Sequence, residues 1–123
     1  MITGVQDVYY NVSDMERARA FYTGLLGFRE LDTSPYWTSL ELGGLRVGLH
    51  WSEGEPVPPV PRDSHGAHAG ATLTLRSDDP AADRARLEAA GAVILGEDAA
   101  PWGHLVVFED PDGNVLKLMR PAS

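Results

Sequence analysis

The same hydrophobic and turn pattern is written twice along this chain, and that repetition narrows the folds open to it more than any single motif does. In the first half, residues 5–12 alternate in period two, Val8, Tyr10 and Val12 on one face and Asp7, Tyr9 and Asn11 on the other, as a half-buried strand does. Ser13-Asp14-Met15-Glu16 fits a capping box in which Ser13 caps the amide of Glu16 and Glu16 reaches back. The helix that follows carries Ala18, Phe21, Tyr22 and Leu25 on one stripe and stops at Gly27. Strands are predicted over 28–31, 36–42 and 45–51, with Gly43-Gly44 as a tight hairpin turn. In the second half, 71–77 alternates Thr72, Thr74 and Arg76 against Leu73 and Leu75, and Asp79-Pro80 reads as an N-cap followed by Pro at the first helical position. That helix runs to Ala90 and stops at Gly91, a short strand covers 93–96, and a hairpin pairs 105–108 with 115–119. Its turn, Asp110-Pro111-Asp112-Gly113-Asn114, has Pro to preset φ and Gly to accept a positive one.

Each half therefore reads β-α-β-β-β. Asp7 precedes Asp14 by the same interval as Thr72 precedes Asp79, and Gly44 and Gly113 each precede a final strand. The expected fold is α+β: two βαβββ modules in tandem, residues 1–52 and 67–123, whose sheets curl into one cup-shaped mixed sheet lined by the polar alternates. Between them, 53–66 holds Pro56, Pro58, Pro59 and Pro61 without periodicity and is expected to be an extended linker.

Composition trims the function classes. A net charge of −8 argues against nucleic acid, which is bound through clustered Lys and Arg. No apolar run approaches the roughly 20 residues of a membrane span, and no signal peptide is visible, so no membrane partner and a cytoplasmic location are expected. Cysteine is absent, which removes disulfides, thiolate metal sites and cysteine nucleophiles together. Lys117, in the last strand, is the only lysine.

Val12-Ser13-Asp14, Ala20-Phe21-Tyr22, Leu25-Leu26-Gly27-Phe28, Arg86 to Ala92, Pro101-Trp102-Gly103 and Phe108 to Asn114 together resemble the vicinal oxygen chelate superfamily. That superfamily includes glyoxalase I, extradiol dioxygenases, fosfomycin-modifying enzymes and bleomycin resistance proteins. The resemblance implies the tandem βαβββ fold. In metal-dependent members it implies ligands seven residues before each helix-opening Asp and four residues after each hairpin Gly. Those positions hold Asp7, Thr72, Gly48 and Lys117, of which only Asp7 suits a divalent ion. No metal, no cofactor and no assigned catalytic residue are the expectation, with Asp7 and Lys117 forming an ion pair where the cation would lie.

Three tryptophans, Trp37, Trp51 and Trp102, with Tyr9 and Tyr36, exceed what a small core needs, although Trp51 and one other can pack between sheet and helix. The candidate ligand-binding set is Asp7, Tyr9, Asn11, Trp37, His50, Thr72, Thr74, Trp102, His104 and Lys117. His65 and His68 form a His-x-x-His pair in the linker, short of the ligands a metal site requires, and are read as exposed or hinge residues. The resemblance points to a metal-free protein binding an aromatic or cationic organic small molecule, in the manner of bleomycin resistance proteins, and to a homodimer. The alternative is a lyase, isomerase or dioxygenase-type enzyme with a displaced metal site, or with Asp7, Lys117 and His50 in acid-base chemistry.

Overall fold

A computed structural model of the chain describes residues 1–63, 66–67 and 70–122, so His65 and His68 lie outside the described residues. The chain divides into two units, Met1–Val57 and Pro58–Ser123.

The first unit is a four-stranded mixed sheet with one helical segment. Its strands are β1 (Val8–Val12), β2 (Arg29–Thr33), β3 (Trp37–Leu42) and β4 (Leu45–Trp51), in spatial order β1-β4-β3-β2. β1 runs parallel to β4, and the other pairs are antiparallel. The register sets Val8, Val47 and Leu40 in one row and Tyr10, Leu49 and Thr38 in the next. Both rows face the helix, and Val12, Leu40, Leu49 and Tyr22 are fully buried there. Trp51 belongs to this face as well; its indole N–H donates to the Ser13 carbonyl at 3.1 Å, and its ring centre lies 5.6 Å from that of Tyr36.

Helix α1 (Met15–Arg19) departs from the sequence expectation at both ends. Its N-cap is Asp14, whose carboxylate accepts from the Arg17 amide at 3.0 Å, rather than Ser13. A carboxylate gains more than a hydroxyl from the partial positive charge of a helix start, and the cap moves one residue accordingly. Beyond Arg19 the helix widens into a π-turn, Ala20–Leu25. The Thr23 hydroxyl donates to the Arg19 carbonyl at 2.6 Å, the acceptor that a regular turn would reserve for the Thr23 amide. β2 likewise begins one residue later and ends two residues later than predicted, with a bulge between Glu30 and Asp32.

The second unit repeats this topology. The short strands β5 (Arg62–Asp63) and β6 (Gly66–Ala67) pair antiparallel at the end of the stretch expected to be an extended linker, with Ala67 one residue beyond it. The main sheet comprises β7 (Leu73–Arg76), β8 (Ile94–Ala100), β9 (Gly103–Glu109) and β10 (Val115–Pro121), ordered β7-β10-β9-β8 with β7 parallel to β10. Helix α2 (Pro80–Ala89) is capped by Asp79, which accepts from the Ala82 amide at 3.1 Å, and Pro80 occupies its first turn. Both modules therefore open their helix with an aspartate and carry one bulge, the second between Ile94 and Gly96.

Strand β8 is longer than the predicted 93–96. Its ladder to β9 continues until Ala100 meets Gly103, with Pro101-Trp102 as the turn. A Cβ on Gly103 would stand 2.4 Å from the Arg120 carbonyl oxygen, so only glycine lets the strands approach there. At the β9–β10 turn, the buried Asp110 carboxylate accepts from the amides of Asp112 and Asn114, each at 2.9 Å, and from the Asn114 side chain at 2.8 Å.

Candidate functional site

Opposite its helix, the first unit's sheet presents a second set of alternates. Tyr9, Gly48 and Ser39 form one row across β1, β4 and β3, and Asn11, His50 and Trp37 form the next. The side chains meet as an aromatic cluster. Tyr9 and Trp37 ring centres lie 5.5 Å apart, Tyr9 and His50 6.0 Å, and Trp37 and His50 6.2 Å, all at tilted or edge-on angles. Such spacings are those of favourable aromatic pairs. His50 Nδ1 is 3.0 Å from the Asn11 side-chain oxygen, and the Trp37 indole N–H donates to Ser39 Oγ at 2.9 Å. Tyr9 and His50 are exposed while Trp37 is half-buried, so the cluster is a surface rather than a core.

Gly48 explains how the indole fits. A Cβ there would stand 2.1 Å from Cζ2 and 2.4 Å from Cη2 of Trp37, so the ring occupies the space that a side chain at 48 would fill. This is the position at which the resemblance implies a metal ligand. It offers no donor, and an aromatic ring lies over it. Its counterpart in the second unit is Lys117, a cation, and Thr72 supplies only a neutral hydroxyl. Among the described residues no three His, Asp or Glu side chains come together. A divalent ion needs three or four O or N ligands in a compact shell, and the residues present do not fit one.

The second unit places its candidates on two sides of the sheet. Thr74 pairs with Lys117, and Arg76 with Met119, on the face away from α2. There Thr74, Arg76, Met119 and Pro121 line a hollow of about 140 Å³. Farther along the same face Val107 and Val115 pack with Val60, and Glu109 is paired with Arg62. His104 instead alternates onto the α2 side with Val106 and Phe108. Its Nε2 lies 3.0 Å from Glu97, which also accepts from Arg84 of α2 at 2.8 Å. Arg84's hydrogen bond, then that of His104, holds the Glu97 carboxyl below the usual carboxylate range. Trp102 sits exposed in the β8–β9 turn, and Asp7 and Thr72, both half-buried, each lie one residue before a strand.

The structure thus joins Tyr9, Asn11, Trp37 and His50 in one unit and Thr74 with Lys117 in the other, and it turns His104 to the helix side. Ser39, Arg76 and Met119 were not singled out from the sequence. Arg76 shares an alternation with Thr74, but only the β7–β10 register sets it beside Met119 at the hollow.

The sequence profile of the glyoxalase/bleomycin resistance protein/dioxygenase superfamily matches residues 4–118. No curated protein matches the sequence. Among solved structures, TnmS3, an antibiotic binding protein from Streptomyces sp. CB03234, is 34% identical, with 98% of this chain and 99% of that one covered and a TM-score of 0.67. The fosfomycin resistance protein FosX from Listeria monocytogenes is 18% identical, covers 97% and 93%, and has a TM-score of 0.74. A glyoxalase family protein from Enterococcus faecalis is 22% identical, covers 95% and 97%, and has a TM-score of 0.72. The last two similarities concern the fold.

Proposed function

The chain belongs to the glyoxalase/bleomycin resistance protein/dioxygenase superfamily, and from that premise we propose that it is a metal-free binding protein that sequesters an aromatic or cationic organic small molecule. One observation carries the reading: the Trp37 indole lies over Gly48 and converts a would-be ligand position into aromatic surface continuous with Tyr9 and His50. Planar π-faces take up flat organic rings and cations through dispersion and quadrupole attraction, and the hydroxyl and amide groups of Ser39 and Asn11 beside them can orient polar substituents. The net charge of −8 favours a cation over an anion at long range. Antibiotic binding by TnmS3 supports sequestration as the use of such a surface.

Fluorescence anisotropy with proflavine, a planar aromatic cation, tests the proposal. Binding is expected, and Trp37→Ala should weaken it roughly 2- to 10-fold, the value of one aromatic contact. Binding that is indifferent to both Tyr9→Ala and Trp37→Ala would refute the assignment of this surface. The proposal includes a homodimer without bound metal, and native mass spectrometry of protein purified without chelators reads both. A stoichiometric Zn, Mn, Ni or Fe ion would favour the enzyme reading instead.

A further inference from the structure

We infer that His50 makes the aromatic surface selective for rings that carry an N–H donor on their rim, and that Asn11 imposes this choice by fixing the imidazole tautomer. The inference rests on the binding proposed above and names the class of ligand that the surface takes.

Asn11 and His50 are register partners on the parallel strands β1 and β4, so their side chains leave the sheet on one face, and both are exposed. His50 Nδ1 lies 3.0 Å from Oδ1 of Asn11. A side-chain amide oxygen can only accept, so Nδ1 is the ring nitrogen that carries the proton. A neutral imidazole has one such proton, and Nε2 therefore keeps a lone pair in the plane of the ring. Among the described residues Nε2 has no hydrogen-bond partner; the remaining side-chain contacts of His50 are with the Tyr9 and Trp37 rings.

The other two rings offer nothing that competes with this acceptor. The Trp37 indole N–H is already spent on Ser39 Oγ at 2.9 Å, and the Tyr9 hydroxyl both donates and accepts, so it does not discriminate. Of the polar atoms on the three rings, only Nε2 accepts without also donating. The imidazole stands at 74° to the Tyr9 ring and 53° to the Trp37 ring, so a flat ligand laid against either of those faces cannot stack on His50 as well. Hydrogen bonding at Nε2 is the contact left to it. An amino group on the rim of the ligand supplies the donor, and where that group belongs to a delocalised cation the bond is charge-assisted and stronger. A fully N-alkylated ring of the same charge has no proton to offer and covers the lone pair without satisfying it. The surface therefore takes an aromatic cation with free amino groups conjugated to its ring system and discriminates against the N-alkylated counterpart.

The probes are thionine and methylene blue, planar phenothiazinium cations of equal charge, the first with free amino groups and the second with those groups fully methylated. Equilibrium dialysis is run at about pH 8, above the range in which histidine ordinarily gains its charge. The ratio of the methylene blue Kd to the thionine Kd is expected to be roughly 2- to 10-fold higher for the unaltered protein than for His50→Phe, which keeps a ring and removes the acceptor. Asn11→Ala should lower the ratio as well. Long-range proton–nitrogen correlation spectra of the unaltered protein read the tautomer directly. Protonation of His50 at Nδ1 is expected, reverting in Asn11→Ala to the Nε2-protonated form that histidine prefers in water. A ratio that His50→Phe leaves unchanged, or a His50 protonated at Nε2 in the unaltered protein, would overturn the inference, and thionine binding that Trp37→Ala weakens would still uphold the aromatic surface. Failure of both dyes to bind would sink the surface and the inference together. The tautomer of the unaltered protein decides against or for the role of Asn11 even where a variant fails to fold.

Discussion

Gly48→Ala tests the central packing relation of the aromatic surface. The added methyl would stand 2.1 Å, 2.4 Å and 2.9 Å from Cζ2, Cη2 and Cε2 of Trp37, far inside the roughly 3.5–4.0 Å of a carbon–carbon contact. The indole must swing away. In doing so it gives up its 2.9 Å hydrogen bond to Ser39, worth about 1 kcal/mol, and its contacts with Tyr9 and His50, worth about 0.5–1.5 kcal/mol each. Together these amount to about 2–4 kcal/mol. Replacing glycine within a strand returns about 0.5–1 kcal/mol of backbone entropy, so the net expected cost is about 1–3 kcal/mol. In a Trp37→Ala background only the entropic part remains, and the same substitution should stabilise by about 0.5–1 kcal/mol. Urea unfolding of the four proteins of this double-mutant cycle measures the coupling, expected at about 2–4 kcal/mol. A cost that is the same in both backgrounds within about 0.5 kcal/mol would refute the argument that Trp37 dictates glycine at 48.

Three further outcomes follow from the caps, the ion pairs and the last turn. Asp14→Ala and Asp79→Ala should each cost about 1 kcal/mol in urea unfolding and Ser13→Ala well under half of that; a larger loss at Ser13 would return the first cap to the capping box. Because the folded state depresses the Glu97 carboxyl, its contribution is present above the unfolded value of about 4.3 and is lost as pH falls through the folded one, so Glu97→Gln should flatten the acid limb of Tm against pH, and an unchanged limb would exclude the contribution. Asp110→Ala strands two amides and the Asn114 side chain and should cost about 3 kcal/mol, with Asp110→Asn retaining part of it; near-neutral behaviour of both in chemical denaturation would mean that the turn is held by other contacts.

Local signals sufficed for elements whose cause is local. Asp79-Pro80 marked the start of α2, and the Asp110–Asn114 turn marked the last hairpin, because a cap or a tight turn depends on a few consecutive residues. The longer reach of β8 did not show, since Glu97, Asp98 and Ala99 have weak strand preference and are held by pairing with β9 and by Arg84 and His104. The π-turn was hidden for a similar reason: one Thr23 hydroxyl competing for a carbonyl leaves the apolar spacing unchanged. Of the candidate site, Tyr9 and Asn11 were readable as polar-face alternates, but the side of the sheet to which His104 turns depended on where its strand begins.

The sequence alone determined the duplication, since period-two and helical apolar spacing, two aspartates before helices and two turn glycines are encoded residue by residue. It also determined which side-chain chemistry stands at the positions of the would-be metal ligands. Only tertiary structure decided what those side chains meet. That Trp37 fills the space over Gly48, and that Thr74 comes beside Lys117 and Arg76 beside Met119, both follow from strand register, which pairs residues far apart in the chain and is set by packing the whole sheet on its helix.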